Sequence, residues 1–155
     1  MAYRTTTATP YVALGARLVL TLAGAAALIV GAFMTWWAPL KGSELALEAL
    51  WKPTFRQTDT FLATIGSAAI VVALVAIIGM AFGTGWLTRI AGVVGIVGFV
   101  LFAVEVYRAP GTNEIGVGAW ICLAGAVVVL MAGFFGGRRS VTAPVVNETT
   151  VVEDD

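Results

Sequence analysis

Four long apolar stretches, separated by short polar segments, set the pattern of this chain. They cover residues 18–37, a run within 61–86, residues 90–107 and a run within 115–137. Three carry no charge, and the third carries one, Glu105. About 20 helical residues at ~1.5 Å rise cross a ~30 Å hydrocarbon core. Backbone groups in lipid must bond within their own segment, and none of the runs alternates apolar and polar residues as a barrel strand does. The pattern predicts an all-α membrane protein with four transmembrane helices, spanning about 15–37, 61–86, 89–107 and 115–137. Residues 13–139 would form the bundle. The flanking tails, 1–12 and the acidic 140–155, have no helical period and are expected to be disordered.

Composition strengthens that reading. The chain is 59% apolar and 12% charged, against about half and a quarter in soluble domains. Trp and Tyr favour the headgroup level, so Trp36, Trp37, Tyr107 and Trp120 are expected to mark one face and Tyr11 and Trp86 the other. The first run is too long for the apolar core of a signal peptide and has no small-residue cleavage site after it. Orientation follows Lys and Arg. Arg4, Arg17, Arg89, Arg138 and Arg139 lie on the side of the N-terminus, and Lys41, Lys52, Arg56 and Arg108 lie on the other. The inner group sits against span ends, where the positive-inside bias acts most strongly. The expectation is a multi-pass protein of the cell membrane with both termini cytoplasmic. A net charge of zero gives no footprint for nucleic acid, so the expected partners are the lipid bilayer and a membrane protein or a second copy of the chain.

The loop between the first two spans, 38–60, has order of its own. Ser43 is placed to N-cap a helix and Pro53 to end it, with Glu44, Glu48 and Lys52 every fourth residue along one stripe. Leu45, Leu47, Leu50 and Trp51 fill the rest of the circumference. The spacing predicts a short helix in the membrane interface or over the outer mouth of the bundle. A weak internal repeat also appears, Arg17 leading to "APLKGSE" at 38–44 and Arg89 to "APGTNE" at 109–114. It suggests two tandem helical hairpins related by an axis along the membrane normal. Gly92, Gly95 and Gly98 in the third span, Gly24 and Gly31 in the first, and Gly125 and Gly133 in the fourth are expected to permit close helix contact.

Chemical motifs are few. There is no His and a single Cys, Cys122, so His-based triads, Cys/His metal sites and His-bound haem are excluded within one chain. No phosphate-binding loop appears, and the Gly-rich third span follows no strand. No catalytic residue, metal site or cofactor is expected. Cys122 reads as a packing residue, and the sequon at Asn147 lies in a tail expected to be cytoplasmic. Glu105 is the candidate for proton coupling, because an ionisable group inside a span is costly and commonly marks a pathway or a partner. An i,i+3 pair with Arg108 would satisfy it more simply. Trp36, Trp37, Trp120 and Arg108 are the candidate substrate-binding residues around it. Arg17 and Arg89 are expected to snorkel to headgroups.

The segments "GAFMTWW", "LWKPTFRQTDTFLATIG", "GWLTRIAGVVGIVGF" and "GAWICLAGAVVVL" occur together in this order. Across about 15–137 the chain resembles a family of small four-span actinobacterial membrane proteins, mostly uncharacterised and sometimes labelled sugar:proton symporters. The resemblance implies cotransport of substrate and proton, with Glu105 as the intramembrane acid. The residues themselves favour a non-enzymatic accessory or scaffold subunit of a membrane or cell-envelope assembly. Thr21, Thr35, Thr64, Ser67 and Cys122 are too few to line a route for a hydrophilic solute. The alternative is a minimal proton-coupled small-solute (sugar) transporter acting as a homo-oligomer.

Overall fold

A computed structural model describes residues 10–83, 85–110 and 114–135. Residues 1–9 and 136–155, with Arg4 and the Arg138–Arg139 pair, lie outside the described residues, while 10–12, expected in the first tail, belong to the first helix. Helix α1, Pro10–Phe33, leads into a short hairpin of β1, Thr35–Trp37, and β2, Leu40–Lys41. Two 3-10 turns, Leu47–Leu50 and Phe61–Ala63, precede helix α2, Ile65–Ala81. Helices α3, Trp86–Arg108, and α4, Val117–Phe135, complete the order. Three helical stretches, Leu14–Phe33, Trp86–Arg108 and Val117–Phe135, are long and apolar enough to cross a membrane, with mean hydropathies of 2.0, 2.3 and 2.3. The fourth helix, α2, is apolar but has 17 residues.

Local chemistry sets the helix ends. The first run stops being α-helical at Phe33, four residues before the expected end at Trp37, because the chain turns back through the hairpin. There Gly42 N–H donates to Met34 O at 3.0 Å. Helix α2 starts after Thr64, an extended residue whose Oγ1 accepts from Ser67 N–H at 3.1 Å, the usual N-cap bond. It ends at Gly83, whose φ of +71° suits glycine and stops the helix.

The helices close a ring in which α1 and α3 each pack against both α2 and α4. The α1–α4 interface is the most extensive and is antiparallel. A Cβ on Gly24 would stand 2.8 Å from Gly125 O, and one on Gly31 would stand 2.8 Å from Gly118 O and 2.6 Å from Cys122 Sγ. Both pairs lie seven residues apart on each helix, so the backbones approach along one seam. Gly133 also permits close helix contact, with Arg89 of α3 and the preceding Gly85. Gly92 and Gly95 meet Leu130 and Ala126 of α4, whereas Gly98 has nothing within 4 Å of its Cβ position.

The segment between α1 and α2 forms a cap over one end of the ring. The expected helix beginning at Ser43 is not present. Residues 44–46 instead pair with 56–58 on one side and 64–65 on the other, through Ala46 N–H to Arg56 O, Thr58 N–H to Glu44 O and Ile65 N–H to Leu45 O. Helical geometry survives only as the turn Leu47–Leu50. Of the apolar residues that suggested an interfacial helix, Leu45 is fully buried and Leu47 and Leu50 pack on the core, as does the buried Ala49, while Trp51 stays 56% exposed. Burial against α2 and α3 outweighs the weak local preference of so short a helix.

Candidate functional site

Glu105 lies on the buried face of α3 near the cap, with its side chain 8% exposed. Its Oε1 accepts from Arg108 Nη1 at 3.2 Å, the i,i+3 pair expected from the spacing. Its Oε2 is buried with no hydrogen-bond donor among the described residues. Arg108 remains 69% exposed.

The aromatic candidates make ring contacts of their own. Trp36 is 3% exposed, donates Nε1–H to Gly31 O at 2.9 Å and meets Phe102 edge-on at 5.0 Å. It therefore satisfies a carbonyl at the C-terminal end of α1 and is not a headgroup marker. Trp37, half-buried, stacks on Phe55 at 4.4 Å. Trp120 leans on Phe99 at 5.1 Å and stays 53% exposed, which fits a lipid-facing ring. Tyr107 and Trp86 are also exposed. Of the four candidates, Arg108 bonds Glu105, Trp36 and Trp37 join one ring cluster through Phe102 and Phe55, and Trp120 packs apart on Phe99.

Polar side chains within the helices are engaged with nearby backbone. Thr21 Oγ1 donates to Arg17 O at 2.9 Å, Ser67 Oγ to Thr64 O at 2.8 Å, and Cys122 Sγ to Leu28 O at 3.4 Å. Thr35 is exposed on β1. Thr88 is fully buried, and its Oγ1 has no partner among the described residues.

The end opposite the cap holds the residue that sequence reasoning misplaced. Arg17 does not snorkel outward: it is 5% exposed and reaches across to α2, donating from Nη1 to Gly83 O at 3.2 Å and from Nη2 to Gly79 O at 3.3 Å. The last carbonyls of a helix lack intrahelical donors and carry partial negative charge, so a guanidinium there supplies both hydrogen bonds and countercharge. Arg89 makes the corresponding contact in the second hairpin. It donates from Nε to Gly133 O at 3.0 Å and sits 4.8 Å from the centre of the Phe134 ring. The signal in the sequence was present, an arginine early in each odd-numbered helix and a glycine late in the next.

On the cap surface, Glu48 accepts from Arg56 at 3.2 Å and lies 3.7 Å from Lys52. Glu48 and Arg56 border an open cleft of about 440 Å³, with Trp51, Gln57 and Asp59 also on its walls. No cluster of three or more His, Cys, Asp or Glu positioned to hold a metal occurs among the described residues. Compared with descriptions of protein families, with curated proteins and with solved structures, the chain matches none.

Proposed function

We propose that the chain is a non-enzymatic integral membrane protein that crosses the bilayer four times and acts as an accessory or scaffold subunit of a larger membrane or cell-envelope assembly. The observation that carries this reading is the engagement of Thr21, Ser67 and Cys122 with adjacent carbonyls. Among the described residues the buried polar atoms left without a partner are Arg17 Nε and Thr88 Oγ1 at one end of the ring and Glu105 Oε2 at the other, which gives a hydrophilic solute no continuous row of partners. What remains on display is the cap, where Glu48 pairs with Lys52 and Arg56 and lines an open cleft together with Arg56. A partner at the membrane surface would meet that face first.

Support for a fourth crossing comes from level. Gly66 at the start of α2 lies against Ala32 O of α1, and Gly79 near its end lies against Arg17. Helix α2 therefore runs beside α1 over nearly the whole depth, and the turn Phe61–Ala63 extends its apolar length. The paired contacts Arg17–Gly79 and Arg89–Gly133 favour two tandem hairpins. Four crossings return residue 135 to the end where residue 10 begins, and the Lys/Arg distribution places that end in the cytoplasm. The resemblance to the small actinobacterial four-span family agrees with this arrangement.

A second reading, the minimal proton-coupled transporter working as a homo-oligomer, is favoured by one feature, the buried and donorless Oε2 of Glu105. Two experiments separate the readings. A pulldown of the full chain in mild detergent should recover a membrane-protein partner, and charge reversal at the cap, Glu48→Lys with Arg56→Glu, should reduce its yield. Reconstituted into liposomes, the wild type should show no substrate-dependent proton flux with sugars. A flux that disappears in Glu105→Gln, while the variant remains folded, would replace the accessory reading with the transporter.

A further inference from the structure

We infer that the acyl chain of a phospholipid in the cap-side leaflet seats in a slot between α2 and α3. The slot has a volume of about 110 Å³, and so takes a short stretch of the chain. Its floor is Leu28 and its cap end is Leu50, with Ala68 and Val72 on the α2 side and Val94 and Gly98 on the α3 side. The floor residue Leu28 is buried, while Ala68, Val72 and Gly98 are partly exposed and Val94 is half-exposed. The slot therefore opens sideways, between the two helices, towards lipid. Gly98 has open space where a side chain would stand. Its absent side chain leaves a recess where Gly92 and Gly95, on the same helix, are filled by α4.

Three observations select the occupant. The lining is apolar, and the one thiol on it, Cys122, already donates to Leu28 O, so water would find no partners there. Glu105 stands one heptad above Gly98, within about 20° on the same face of α3, and holds Arg108 at 3.2 Å. Arg108 is ten residues from Gly98, about 15 Å at ~1.5 Å per residue, which is half of a ~30 Å hydrocarbon core. An exposed guanidinium at headgroup level and an apolar slot half a bilayer below match the phosphate and the chain of a single phospholipid. A second copy of this chain fits less well. The slot's lining offers a second copy's side chain no free polar group to bond, and lipid tails compete with any merely apolar contact. The inference holds under either functional reading.

Native mass spectrometry of the full chain, released from nanodiscs containing phosphatidylglycerol and phosphatidylcholine, tests it. The wild type should retain one phospholipid. Gly98→Phe starts from a Cβ in open space, carries its ring into the slot, and should lower that occupancy at least tenfold with an unchanged circular dichroism spectrum. Arg108→Gln should reduce retention of phosphatidylglycerol. A phospholipid with a diazirine near the end of its chain should label the peptides containing 65–72 and 94–99 in the wild type, which keeps the test decisive if Gly98→Phe fails to fold. Absence of a retained lipid, labelling elsewhere, or a dimer that Gly98→Phe converts to monomer with lipid retention unchanged would each overturn the inference.

Discussion

Arg17 and Arg89 look alike in sequence, each an arginine near the start of an apolar helix, yet burial separates them. Arg17 is 5% exposed with two carbonyl acceptors on another helix, and Arg89 is half-buried with one. Charge-assisted hydrogen bonds contribute about 1.5–3 kcal/mol each, and carbonyls left buried without a donor cost about 1–3 kcal/mol. Arg17→Ala should therefore lower stability by about 2 kcal/mol or more, with Arg89→Ala costing less. Arg17→Lys should recover only part of the loss, because a single ammonium does not offer the planar fork that reaches two carbonyls. Thermal unfolding of the three variants in one detergent checks the order, and equal losses at Arg17 and Arg89 would contradict the buried clamp. The Glu105–Arg108 pair was legible from spacing alone, since i,i+3 neighbours on any helix meet. The inward turn of Arg17 was not legible, because its acceptors lie 62 and 66 residues away.

At the scale of elements, the seam between α1 and α4 depends on the absence of side chains at Gly24, Gly31, Gly118 and Gly125. A Leu at position 31 would push its Cβ into Gly118 O and Cys122 Sγ, at 2.8 and 2.6 Å, and neither a backbone nor a buried thiol can give way cheaply. Gly31→Leu should prevent the helices from closing, seen as loss of the cooperative thermal transition. Gly15→Leu is the control, since nothing lies within 4 Å of its Cβ position and the transition should persist. The spacing of Gly24 and Gly31 announced a seam, but not its partner. Gly98 shows the limit of such reading. It continues the three-residue series of Gly92 and Gly95, and only the position of α4 decides that two of the three are covered. The cap shows it again: the charge stripe of Glu44, Glu48 and Lys52 was real enough to form the Glu48–Lys52 contact, while burial of Leu45 and Ala49 chose a turn and bridges over the helix.

For the whole molecule, the testable consequence is topology. With Cys122→Ala as background, a cysteine introduced at the exposed Lys52 position should react in intact cells with a maleimide that does not cross membranes, and one at Ser140 should react only after lysis. Labelling in the opposite order would invert the proposed orientation and place the cap inside the cell. The sequence by itself determined that this protein is made of apolar helices and where most of them lie. Hydrophobic runs, their length and the turn residues between them are local quantities, and lipid leaves the backbone no other way to bond. Only the tertiary structure decided that Arg17 is an internal clamp, that Trp36 closes the end of α1 and joins Trp37 in one ring cluster while Trp120 packs on Phe99, and that Gly98 fronts an open slot. Those outcomes depend on which faces meet across the ring, and a face has no partner until the helices are packed.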